Sequence, residues 1–132
     1  MTCVGDVLPP ITTHALTRLH IAYMAVAMHD PNPVHVDDEF AREAGMPSAI
    51  AHGTFAVSYL GAAVSRIVGV DQLRRLRVEL TAPIFPGEHL VTSVVVDAVD
   101  EVDGVATAHA ALSAVKPDGT VAARGEASWT IS

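Results

Sequence analysis

The chain has 132 residues, half of them hydrophobic, and its eight basic and fifteen acidic side chains leave a formal net charge of -7. That length fits a single domain, 1–132, and suffices for a core without disulfides or a structural metal. The composition excludes a disordered chain. The acidic balance excludes the basic face that nucleic-acid binding needs, and the single cysteine, Cys3, excludes an internal disulfide.

The opening MTCVGDVLPP lacks the basic and long apolar regions of a signal peptide, so a cytoplasmic location is expected. Thr17 is a good N-cap for RLHIAYMAVAM, whose helical composition runs to about Met28. Pro31 and Pro33 then stop the helix, because a residue before proline is pushed out of the helical region. A short helix is expected in VDDEFAREAG. Asp37, Asp38 and Glu39 fall in its first turn, where the dipole favours acids, and Gly45 suits its C-terminal cap.

Next comes SAIAHGTFAVSYLGAAV, seventeen residues without Asp, Glu, Lys or Arg. It contains His52, Ser48, Thr54 and Ser58, and falls short of the ~20 apolar residues of a membrane span. A helix apolar all round but too short to span is a central buried helix. This one is expected from about Gly53 to Val68, with no membrane insertion.

After Asp71 the pattern changes to alternation. LRRLRVELTAPI reads as a strand, with Arg74 to Arg77 on its charged face. FPGEH is a turn, and LVTSVVVDAVDEV and VATAHAALSAV are strands joined at Asp103-Gly104. KPDG is another turn, and TVAARGEASWTIS is the last strand. An antiparallel meander wrapped on one long helix makes an α+β layer. The sheet's other face then needs covering, most simply by a second copy of the chain or a related partner.

Polar chemistry concentrates in MHDPNPVHV, where Asp30 and His35 stand five apart in a segment stiffened by two prolines. Five extended residues would span about 16 Å, so the segment must curve for both side chains to reach one centre. A carboxylate and an imidazole suit general acid–base work. The same residues also fit an Asx-type turn, with Asp30 and Asn32 satisfying nearby amides; composition leaves both open. In AHGTF, His52-Gly53 stands at the start of the buried helix, where the first N–H groups have no intrahelical partner. Glycine permits close approach there, and the free amides suit negative charge developing on a carbonyl oxygen. Alternatively, the segment is only a helix start with a hydrogen-bonded histidine. A metal site is not expected, because His35-x-Asp37 lacks a third ligand at a suitable spacing.

DPNPVHVDDEFAREAG, AIAHGTF and VELTAPIFPGEHL resemble the MaoC-like hydratases and dehydratases of the hot dog fold, over about Thr17 to Ser132. The resemblance implies an antiparallel sheet wrapped around a long central helix, units that pair, and a fatty-acyl thioester in a tunnel. It implies an enzyme that reversibly adds water to trans-2-enoyl thioesters, giving (R)-3-hydroxyacyl products. Carried over, Asp30 and His35 are the catalytic pair that holds the water. Asn32 orders the loop, the Gly53 N–H donates to the thioester oxygen, and His52 stands beside it in the substrate-binding set. No cofactor is implied beyond coenzyme A or an acyl carrier as part of the substrate, with coenzyme A the expected one. A homodimer, or a heteromer with a related hot dog chain, is the implied assembly.

Two positions depart from the family's habit. His29 stands where a small residue usually precedes the acid, which could alter acid–base tuning. Gly61 stands where some members carry a serine, which could widen the pocket. VGDVLPP also resembles small catalytic subunits of heteromeric members acting on steroid side-chain thioesters. The alternatives are a hot dog thioesterase and a non-catalytic acyl-binding subunit. The Asp30/His35 loop favours hydration over the first, and a scaffold would need neither residue.

Overall fold

The computed structural model describes residues 2–132. Helix α1 spans Arg18–Ala27 and starts as expected at Thr17. The Thr17 side chain accepts from the His20 N–H, while the His20 ring accepts from the Thr17 N–H, a reciprocal cap. A 3-10 turn, Pro33–His35, follows. Helix α2 spans Asp38–Glu43, one residue later than the acidic run implied. Asp37 lies outside it as the N-cap, accepting from the Glu39 and Phe40 N–H groups. Gly45, with φ 89°, follows its end. Helix α3 spans Thr54–Val68, and four strands complete the fold: β1 (Leu73–Leu80), β2 (Val91–Val102), β3 (Val105–Val115) and β4 (Val121–Thr130).

All pairings are antiparallel, in the order β1-β4-β3-β2. Only β2, β3 and β4 form the expected meander. FPGEH does not join neighbouring strands; the chain between β1 and β2 crosses from one end of the sheet to the other. The physical reason is burial: alternation says which face a side chain occupies, but not which strand lies beside it. Next to β2, the N-terminal segment adds bridges at Val7–Val95 and Thr12–Val91.

The sheet's inner face is mostly small, with Ala108, Ala110, Ala114, Ala123 and Ala127 buried, and Trp129 fills the end of the layer. Small side chains let α3 approach closely, and Phe55, Ala56, Leu60, Ala63 and Val64 meet them. Truncating fully buried Leu60 to alanine would cost about 2–5 kcal/mol. The expectation that α3 is buried all round is corrected: Ser58, Arg66 and Ile67 are exposed. Within one chain the sheet covers a single side of the helix. With 15 residues it does not span a membrane, and no described helix is long and apolar enough to do so.

The outer face also differs from expectation. It carries Arg75, Arg77 and Glu79 of β1 against Arg124 and Glu126 of β4. Ion pairs form from Arg75 to Glu126 (3.5 Å) and from Arg124 to Glu79 (3.1 Å). These exposed pairs add little stability, but they solvate the β1–β4 part of the face. Exposed apolar side chains lie elsewhere, notably Leu19, Tyr23 and Val26 along α1, with Phe40 and Leu80.

Candidate active site

Asp30 is placed by the end of α1. His29 takes a left-handed φ of 52°, and the Asp30 N–H turns back to the Ala25 carbonyl at 2.9 Å. This is the six-to-one bond that closes a helix behind a left-handed residue, a position glycine fills without strain. The departure at His29 therefore has a conformational consequence; the side chain itself is exposed.

The Asn32 N–H donates to Asp30 Oδ1 (3.2 Å), and Asn32 Oδ1 accepts from the Val34 N–H (3.1 Å). The Asx-type turn is thus real, and it coexists with the acid–imidazole pair, because it engages one carboxylate oxygen and leaves the other. Asp30 Oδ2 lies 3.5 Å from His35 Nε2 and 3.7 Å from His52 Nε2. Asn32 is exposed and serves this backbone ordering; it does not line the adjacent pocket.

His35 is held from its far side. Its Nδ1 lies 2.8 Å from the Ile50 carbonyl, which can only accept, so Nδ1 carries the hydrogen. In the neutral ring Nε2 is then a free lone pair beside Asp30. The Ile50 N–H in turn donates to the Val34 carbonyl (3.1 Å), tying the His35 turn to the segment that leads into α3. A second clamp reinforces this: Asp38 accepts from the Ala49 N–H (2.9 Å) and pairs with Arg18 (3.0 Å). Those contacts, the Ala49 N–H first, hold the Asp38 carboxyl below its usual range.

His52 is 2% exposed, and among the described residues neither ring nitrogen has a hydrogen-bond partner. The alternative reading, a helix start with a hydrogen-bonded histidine, is therefore not what the fold contains. Its ring stacks on His35, with centroids 3.7 Å apart and planes inclined by 21°. Burial, and after it the nearness of a second imidazole at His35, holds its pKa below the ordinary imidazole value, with the Asp30 carboxylate and the Asp30 backbone opposing.

Gly53 directly precedes α3 with φ -58° and ψ -24°, ordinary helical angles that any residue adopts. What requires glycine is space, since a Cβ there would overlap the Leu80 side chain. The Gly53 N–H has no protein acceptor among the described residues. Gly53 and His35 open onto an apolar cavity of about 340 Å³, whose walls include Met46, Ile50, Leu80 and Ile84. A hollow of about 440 Å³ on the outer sheet face, among Arg77, Glu79, Arg124 and Glu126, is ion-paired and separate from this chemistry. Gly61 does not widen the cavity: it faces Leu76, whose Cδ2 would lie 3.3 Å from an added Cβ.

Sequence spacing missed two parts, the Ile50 carbonyl and the Leu80–Ile84 wall; it singled out His52 beside Gly53, but not its place against Asp30 and His35. Asp30, His35 and His52 each offer one atom, all within 4.8 Å of one another. The set nominally resembles a metal triad. Its two rings stack with centroids 3.7 Å apart, and polar atoms that close together can equally serve one hydrogen-bonded oxygen.

A sheet wrapped on a long helix, with a polar cluster at the helix start, defines the hot dog class. The chain belongs to the MaoC-like family, described as "MaoC like domain", whose profile matches residues 5–117. It is 30% identical over 114 residues to a "UPF0336 protein" of Streptomyces avermitilis, spanning 76% of this chain and 73% of that protein. Among solved structures it is similar to the (R)-hydratase from A. caviae involved in PHA biosynthesis. The TM-score is 0.83 at 22% identity, covering 96% of this chain and 95% of that one. It is also similar to the ChsH1-ChsH2 complex from Mycobacterium tuberculosis, with a TM-score of 0.84 at 19% identity and 100% of both chains covered. At these identities the solved structures establish shared fold, not shared substrate.

Proposed function

We propose that this chain is a hydro-lyase that reversibly adds water to trans-2-enoyl thioesters, giving (R)-3-hydroxyacyl products, with coenzyme A as the thioester carrier. The observation that carries this reading is Asp30 Oδ2 facing a His35 Nε2 whose opposite nitrogen is committed to Ile50. Asp30 and His35 hold a water and accept a proton from it as its oxygen attacks C3, and the pair then passes a proton to C2. The Gly53 N–H steadies the negative charge that gathers on the thioester oxygen between those events. The apolar cavity beside both groups takes the acyl chain. A purely acyl-binding subunit would have no use for an acid–imidazole pair held this way. The test is incubation of the purified chain with a panel of enoyl-coenzyme A thioesters, following loss of conjugated-enone absorbance and the configuration of the product. Absorbance that stays constant across the panel would refute the reading.

The proposed assembly is a homodimer or a pair with a related hot dog chain. Support comes from the exposed apolar side chains of α1 and from the named two-component complex among the similar structures.

A further inference from the structure

We propose that His52 donates its Nε2–H to the oxygen that is added to, or removed from, C3, and so acts as a third catalytic group in the reaction proposed above, on which this inference rests. His52 is the one buried polar side chain of the site whose nitrogens are both unpartnered among the described residues. An imidazole held that way destabilises a fold unless something enters to meet it.

The geometry specifies what enters. Asp30 Oδ2 lies 3.5 Å from His35 Nε2 and 3.7 Å from His52 Nε2, both too long for direct hydrogen bonds. The ligand atoms of the three side chains lie within 4.8 Å of one another, so an oxygen admitted between them in the reaction would come within hydrogen-bond reach of all three. The tautomers then decide who gives a hydrogen. His35 commits Nδ1–H to Ile50, so its Nε2 accepts, and the Asp30 carboxylate accepts. A water in this place gives one hydrogen to each and has both lone pairs left.

Only His52 can donate to one of those lone pairs. Burial keeps its ring neutral, with one N–H. A hydrogen on Nε2 is directed to the Asp30 side of the site, where Nε2 lies 3.7 Å from Oδ2, and this is the tautomer the reaction needs. The remaining lone pair of the water points away from all three arms and forms the bond to C3. In hydration, the O–C3 bond forms, one water hydrogen passes to the Asp30/His35 pair, and the pair returns a proton to C2 as the C2–C3 double bond is lost. In dehydration, C2 gives up a proton to the Asp30/His35 pair, the C3–O bond breaks, and the hydroxyl leaves as water after receiving a proton from the pair. The His52 N–H meets the charge gathering on that leaving oxygen.

Two substitutions and one spectrum test this. His52→Phe keeps a stacked, buried ring but removes the donor, and His52→Gln returns one. We expect His52→Phe to lower kcat by about 10²–10³-fold, the range for one lost donor at a developing charge, with KM held within about threefold. His52→Gln should recover at least about tenfold of that loss. A His52→Phe enzyme within about threefold of wild-type kcat would overturn the proposal, as would a loss confined to KM. Nitrogen-15 spectra of the wild-type imidazoles at neutral pH should show the Nε2–H tautomer for His52, and an Nδ1–H tautomer would overturn the proposal even where a variant fails to fold. If the wild type hydrates no enoyl thioester, the hydratase reading falls by itself, and the spectrum still decides the hydrogen-bond assignment.

Discussion

Alanine at position 53 separates two demands that glycine meets at once. The angles of Gly53, φ -58° and ψ -24°, accept any residue, and alanine keeps the N–H proposed to bind the thioester oxygen. The obstacle is Leu80, which the new Cβ would overlap. Overpacking costs about 1–3 kcal/mol. Leu80 is 53% exposed at the end of β1 and can turn aside, which places the cost at the low end. Replacing glycine with alanine at a helix N-cap adds about 0.5–1 kcal/mol. Gly53→Ala should therefore lose about 2 kcal/mol of stability, measured by urea unfolding. Its kcat/KM should fall as Leu80 is driven into the acyl cavity. Adding Leu80→Ala removes the overlap and leaves the cap cost, so the double variant should recover about 1 kcal/mol and much of the activity. Strict additivity of the two substitutions, or a Gly53→Ala protein as stable and active as wild type, would refute the contact as the reason for glycine.

Asp30→Asn and His35→Ala should each lower the hydration rate by roughly 10²–10⁴, with the circular dichroism spectrum unchanged; near-normal turnover in either would remove that residue from the mechanism. The His52 pKa is lower in the folded chain than the ordinary ~6.5, so the unfolded chain binds more protons around and below that pH. Stability is then complete above the imidazole range and is lost as pH falls. The thermal midpoint should drop between about pH 7 and pH 5, and His52→Phe, with Asp30 and His35 still facing that position, should flatten the slope. The Asp38 contribution follows in a lower window, below about pH 4, as the carboxylate held by Ala49 and Arg18 is protonated. Light scattering of the isolated chain at micromolar concentration should report a dimer, and a stable monomer would count against self-assembly.

Features governed by neighbours in the chain were legible in the sequence. Thr17 capping α1, the prolines that end helical structure, the Asp103-Gly104 turn and the extent of α3 all follow from local sterics and orphan backbone groups. The cap of α2 was misjudged by one position, because Asp37 and Asp38 are chemically alike and only the backbone path decides which one turns back on the helix. The Asp30/His35 loop was visible as a stiff polar segment. Whether it was a turn or an acid–imidazole pair was not, and the fold makes it both by using different oxygens of one carboxylate.

By itself, the sequence determined the α+β content, the charged face of β1, and which two segments carry the polar chemistry. These depend on periodicity and composition, which act over a few residues. Tertiary structure alone decided that β1 lies beside β4, that the Ile50 carbonyl sets the tautomer of His35, that His52 stacks on that ring without a partner, and that Leu80 lies against Gly53. Each joins residues brought together only when the sheet closes over α3. Burying the apolar face is a global constraint, and it leaves no mark in any short window of the chain.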